Sequence, residues 1–115
     1  MGEMKAKESG TDKRSSAALL ASIELRHLRY VEAAARHGSF RKAAEALSLQ
    51  QSNLSRRIRE LEERLGSRLF ERSSAGVQLT PVGQEFLSGV RRILQELANI
   101  VEAARARCRL DSQSN

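Results

Sequence analysis

The stretch Gln51–Leu65, QSNLSRRIRELEERL, constrains this chain more than any other. Leu54, Ile58, Leu61 and Leu65 recur at three- and four-residue steps, a single apolar stripe at helical period. The opposite face opens with Gln51, Ser52, Ser55, Arg56 and Arg59, and the carboxylates Glu60, Glu62 and Glu63 come later. Short amides and hydroxyls followed by guanidinium groups can hydrogen-bond base edges and phosphates. A surface helix of an ordinary water-exposed protein carries the same stripe, so the flanking segments decide between the two readings.

Upstream, ELRHLRYVEAAARHG from Glu24 places Leu25, Leu28, Val31 and Ala35 on one side of a first core helix, with Gly38 as its stop. His37 falls in its last turn, where a cation suits the helix dipole. Ser39 then caps a short helix, FRKAAEALSL, with Phe40, Ala43, Ala44 and Leu47 inward. The paired alanines leave room for another helix to approach closely. A short helix, a tight connection at Ser48-Leu49-Gln50 and a polar-then-apolar second helix predict a helix-turn-helix over 39–58, although the turn lacks its common glycine.

Downstream, Gly66 ends the amphipathic helix. Leu69–Arg72 and Val77–Leu79, separated by Ser73-Ser74-Ala75-Gly76, read as a hairpin, a wing over 69–79. Two strands alone are marginally stable, so they must lean on the helices. Arg72 stands at the edge of this wing, where a guanidinium can enter a minor groove or meet a phosphate. Thr80-Pro81 is a strong helix start, a hydroxyl N-cap followed by proline at the first helical position. Phe86 extends the apolar face of this last helix toward the winged domain. Val90, Ile93, Leu97, Ile100 and Ala104 then form a heptad seam. The seam runs past any partner the small domain offers, which points to dimerisation; packing on its own domain is the competing reading.

The 115 residues suit one small domain with appendages. The expected divisions are a disordered leader over 1–22, a winged helix-turn-helix over 23–80, a linker helix over 81–107 and a frayed tail over 108–115. The formal net charge is +6, and arginine supplies sixteen of the twenty cations. Arginine-heavy basicity fits bidentate recognition of phosphate and guanine. Eight cations against five anions lie between Ser39 and Arg72, so half of the excess is local to the helix-turn-helix and wing. One Tyr, three Phe and no Trp leave little for base stacking, against single-stranded nucleic acid. A-form RNA disfavours a recognition helix because its deep groove does not admit one.

Other classes find no support in the residues. No phosphate loop, nucleophile elbow or zinc spacing is present, and adjacent Glu62 and Glu63 splay about 100° apart on a helix, so an enzyme is not expected. His27 and His37 lie on different faces with no cysteine or carboxylate cluster beside them, so no metal and no cofactor is expected. No apolar run reaches the roughly 18 residues of a membrane span, and no signal-peptide or myristoylation pattern opens the chain. The single Cys108 excludes an internal disulfide and fits a reducing, cytoplasmic setting.

With these parts in place, the segment Leu25 to Leu87 resembles the N-terminal region of LysR-type transcriptional regulators. GSF-x-x-AA-x-x-L, LS-x-x-I-x-x-LE-x-x-LG-x-x-LF-x-R and LT-x-x-G carry the resemblance together. It implies a mainly α fold with a small β-hairpin wing, a winged helix-turn-helix followed by a long dimerisation helix. It also implies a bacterial, nucleoid-associated regulator binding a partly dyad-symmetric site on double-stranded DNA as a homodimer. The positions matching the family's DNA-contacting residues are Gln51, Ser52, Ser55 and Arg56 on the recognition helix and Arg72 at the wing. Arg59, one turn further, is expected to meet phosphate or solvent. Two positions depart from the family pattern. Gln50 replaces the usual capping serine, leaving either a frayed helix start or a glutamine that itself reaches DNA. Asn53, where alanine is frequent, adds an exposed amide. Members of the family continue into a longer effector-binding portion, whereas these residues stop at Asn115 with no expected small-molecule pocket. The chain is then either a cut-out DNA-binding region or a shortened regulator, and the alternative role is heterodimerisation with a longer relative through the linker helix.

Overall fold

The computed structural model describes residues 16–114. A short helix α1 spans residues 16–22, followed by α2 (Leu25–His37), α3 (Phe40–Ala46) and α4 (Gln51–Leu65). The hairpin β1 (Phe70–Ser73) and β2 (Gly76–Leu79) comes next, and α5 (Pro81–Ser114) closes the chain.

The caps explain where the helices start and stop. The Ser39 hydroxyl accepts the backbone N–H of Lys42 at 3.1 Å, an N-cap for α3. Gly38 and Gly66 end α2 and α4 in the left-handed conformation that residues with a Cβ avoid. Thr80 Oγ1 accepts from the Gly83 N–H at 3.0 Å and donates to the Arg68 carbonyl at 2.7 Å, so one hydroxyl starts α5 and ties it to the segment before β1.

The apolar stripe of α4 packs as its spacing requires: Leu54, Ile58 and Leu61 are buried, and Leu65 is half-buried. They meet Phe40, Ala43 and Ala44 of α3 and Val31, Ala33 and Ala34 of α2 in one core with Leu69, Phe70 and Leu87. The buried face of α2 differs from the expected one. Leu25 is 42% exposed and Leu28 and Ala35 are half-buried, while His27, Val31, Ala33 and Ala34 are buried. The cause is that α2 is contacted by α3, α4, β2 and α5 together, so burial is not confined to a single stripe.

The strands pair antiparallel in the register Phe70↔Leu79, Glu71↔Gln78, Arg72↔Val77 and Ser73↔Gly76, leaving Ser74 and Ala75 as the turn. The expected four-residue loop is thus closed to two, because Ser73 and Gly76 themselves pair. The hairpin leans on the helices at both ends. Glu62 on α4 accepts the N–H groups of Leu69 at 2.7 Å and Phe70 at 3.2 Å. The Val77 N–H donates to the Gly38 carbonyl at 3.1 Å. A Cβ at Gly76 would collide with that same carbonyl, and its φ of 124° favours glycine independently.

Two expected boundaries shift. Of the leader, residues 1–15 lie outside the described residues, but 16–22 are helical rather than irregular. Arg64 on α4 donates to the Ser22 carbonyl at 3.0 Å, and Ile23 packs against the core, so the segment is anchored from outside itself. At the other end, α5 continues through the expected tail to Ser114. No glycine or proline interrupts residues 90–114, and Arg107–Asp111 and Arg109–Glu102 ion pairs run along the helix.

Leu87 and Val90 of α5 are buried, and Arg91 reaches Glu32 on α2 at 3.8 Å. Val90, expected on the dimer seam, is therefore enclosed by its own chain at 2% exposure, because α5 still runs against α2 at that point. Beyond it Ile93 is 53% and Ile100 57% exposed, Leu97 is half-buried and Ala104 is exposed.

Candidate nucleic-acid interface

Helices α3 and α4 are joined by Leu47–Gln50. Ser48 adopts φ 57°, taking without a glycine the left-handed position that such a turn needs. The Leu49 N–H returns to the Ala44 carbonyl at 2.8 Å and the Ser48 N–H to Glu45 at 3.2 Å, so the turn is pinned to the end of α3. Ala43 and Ala44 are buried at the junction, where larger side chains would separate the two helices.

The outward face of α4 presents Gln51, Ser52, Asn53, Arg56 and Arg59 exposed, with Ser55 half-buried. Gln50 is the N-cap residue and its side chain makes no capping hydrogen bond. Its carbonyl accepts from Asn53 and Leu54, so the helix begins in order despite the poor cap, and the exposed amide of Gln50 is left outward. Arg56 Nη2 lies 3.4 Å from Asn53 Oδ1, one turn back. Arg59 stands further along, beside a groove bordered by Glu63 and Arg68 at the far end of the helix.

The wing brings Arg72 to this face. Its Nη2 lies 3.5 Å from Ser55 Oγ, and Gln51 and Arg72 line one shallow cleft with Ser39, Arg41 and Ser73. The structure thus gathers Gln51, Ser55 and Arg72 at one end, and Ser52, Asn53 and Arg56 continue the same face. Arg41 and Arg68 were not singled out from the sequence. Arg41 sits two residues after a helix cap, a position from which a side chain points outward; it pairs with Glu45 at 3.1 Å. Nothing local in the sequence marks Arg68.

The back of α4 carries a polar contact of its own. His27 is 1% exposed; its Nδ1 accepts the Glu24 N–H at 2.9 Å, and its Nε2 lies 3.9 Å from Glu60 Oε1. Burial, reinforced by the Arg64 and Arg57 guanidiniums, holds the imidazole below its ordinary value against the pull of Glu24 and Glu60. His27 therefore packs behind α4 in a setting that favours its neutral form. Among the described residues no cluster of His, Cys, Asp or Glu has the makings of a metal site, and no helix is long and apolar enough to cross a membrane.

A helix pair joined by a tight turn, a hairpin folded back on it and a long closing helix define a winged helix-turn-helix protein. Residues 25–84 match the family described as bacterial regulatory helix-turn-helix protein, lysR family, and the chain belongs to that family. It is 46% identical over 87 residues to the HTH-type transcriptional regulator TfdS of Cupriavidus pinatubonensis (strain JMP 134 / LMG 1197), covering 76% of this chain and 30% of TfdS. With BudR of Klebsiella aerogenes it shares 43% identity over 83 residues, 72% of this chain and 58% of BudR. Among solved structures, the BenM DBD in complex with catB site 1 DNA superposes with a TM-score of 0.71 at 42% identity, covering 73% of this chain and 94% of that one. The CbnR DBD–DNA complex gives 0.69 at 37% identity, with 75% and 99% covered. The chain spans less than a third of the length of TfdS.

Proposed function

We propose that this chain binds double-stranded DNA sequence-specifically, as a homodimer paired through α5, in the control of transcription. The observation that carries the reading is the division of α4: Leu54, Ile58 and Leu61 on its apolar side are buried while its opposite side presents amides, hydroxyls and guanidiniums, with Arg72 alongside. Gln51, Ser52, Ser55 and Arg56 occupy the first turns, the part of a recognition helix that enters the major groove, and take the base edges with Gln50 and Asn53 beside them. Arg59 and Arg72 take phosphates. The structural neighbours solved with DNA support the same use of the fold.

Dimerisation is supported by Ile93, Ile100 and Ala104, which α5 leaves exposed, with Leu97 half-buried among them. The same seam accepts the matching helix of a longer relative, and native mass spectrometry of a mixture separates homodimer from heterodimer. Catalysis forms no part of the proposed role, and a nucleoid-associated, cytoplasmic site of action follows from it.

Titration of duplex DNA at several salt concentrations tests the proposal. Each neutralised phosphate contributes about −0.9 to the slope of log K against log salt. A slope near zero refutes DNA binding. On a preferred site found by footprinting, Arg56→Ala is expected to cost about 1–3 kcal/mol and to flatten the sequence preference. Arg59→Ala weakens all DNA alike and makes the slope shallower by about one. Equal losses on cognate and scrambled duplexes for Arg56→Ala would remove its base-reading role.

A further inference from the structure

The side chain of Arg72 is exposed, yet it is not free. Its Cζ sits 4.7 Å from the centroid of the Phe40 ring, and its Nη2 3.5 Å from Ser55 Oγ. The Phe40 ring is itself held: it meets Phe70 edge-on, centroids 5.5 Å apart and planes at 84°, and both rings are buried. Phe70 and Arg72 are two apart on β1 and project to the same side of the hairpin, so the strand delivers one ring to brace Phe40 and the guanidinium to cover it. Among the described residues Arg72 makes no ion pair, unlike Arg41, which Glu45 holds at 3.1 Å.

A guanidinium held over an aromatic ring still has N–H donors to offer, and its fork can grip a phosphate through two parallel hydrogen bonds. The group is drawn to Ser55 in the second turn of α4. On the proposed DNA-binding reading, a guanidinium on the flank of α4 is placed for a backbone phosphate.

We propose that Phe40 is a positioning residue, a buried aromatic platform that holds the Arg72 guanidinium ready for one backbone phosphate beside the recognition helix. The proposal rests on the DNA-binding reading. Phe40 never touches the nucleic acid; it acts through Arg72 by settling the orientation before binding, so that less side-chain freedom is lost on contact.

The test is a double-mutant cycle on a mixed-sequence duplex, read by fluorescence anisotropy at several salt concentrations. Phe40→Leu, which keeps an apolar side chain in the core, is expected to weaken binding about two- to fivefold. Arg72→Ala makes the salt slope shallower by about 0.9. In the Phe40→Leu background, Arg72→Ala is expected to cost less than it does alone, and Phe40→Tyr, which retains the ring, to bind as the parent does. Additive losses with DNA binding intact overturn the positioning role and leave the DNA reading standing. A parent chain with no salt-dependent binding overturns both. If Phe40→Leu does not fold, Phe40→Met, which fills the core without a ring, takes its place in the same cycle, with the same outcomes upholding or overturning the proposal.

Discussion

Helices α4 and α5 carry apolar stripes of similar spacing. In α4 the stripe is enclosed along most of its length: Leu54, Ile58 and Leu61 are buried against α2 and α3, and only Leu65 at the end of the helix is half-buried. In α5 only the first turns are treated this way, at Leu87 and Val90, after which Ile93, Ile100 and Val101 stand about half in solvent. Both stripes announce that a partner is needed, since apolar area left in water costs about 25 cal/mol per Å². The difference is where the partner comes from. For α4 it lies in the same domain, whereas the distal part of α5 has outrun that domain.

The largest expected effect tests this contrast directly. Leu54→Ala removes atoms from a closed core and is expected to cost about 2–5 kcal/mol of unfolding free energy, measured by urea denaturation. The comparable truncation Ile100→Ala is expected to change the stability of the isolated monomer by no more than about 0.5 kcal/mol. Similar losses at low protein concentration would show that distal α5 is part of the core after all.

Association is the next effect. Ile100→Asp sets a charge in the proposed seam and is expected to weaken dimerisation by about 2 kcal/mol or more, followed by sedimentation equilibrium. Ile100 is a cleaner probe than Leu97, which its own chain half covers. A dimer of unchanged strength would place the pairing surface elsewhere.

A smaller effect distinguishes the two helices by acidity. The imidazole of His27 behind α4 has a lowered pKa, so its stabilising neutral form is complete above the unfolded value of about 6.5. As pH falls below that value the unfolded chain binds the proton first, and stability declines until the lowered folded value is passed, with a slope of at most about 1.4 kcal/mol per pH unit. His27→Gln is expected to flatten the dependence of the thermal midpoint below about pH 6.5, while substitutions in distal α5 leave it unchanged.

The smallest change lies in the turn that aims α4. Ser48 occupies a left-handed conformation, so Ser48→Gly is expected to stabilise the fold by about 0.5–1 kcal/mol. A loss of stability would show that the Ser48 side chain contributes more than its backbone strain costs.

The amino-acid sequence by itself determined the features that depend on near neighbours. Ser39 and Thr80-Pro81 mark helix starts and Gly38 and Gly66 mark stops, because a cap is a hydrogen bond or a dihedral within a few residues. The stripe of α4 and its polar face were legible for the same reason, since period alone assigns faces along a rigid helix. So were the strands of the wing, bounded by turn residues. Only the tertiary structure decided which contacts join those elements. It turned His27 inward against Glu60, enclosed Val90, and anchored residues 16–22 through Arg64. It set the Glu62 carboxylate on the two N–H groups that begin β1, and brought Arg72 across Phe40 to Ser55. Phe40 and Arg72 are separated by most of the helix-turn-helix. Periodicity says that a side chain faces inward or outward, but which distant side chain it meets depends on how the packed elements cross.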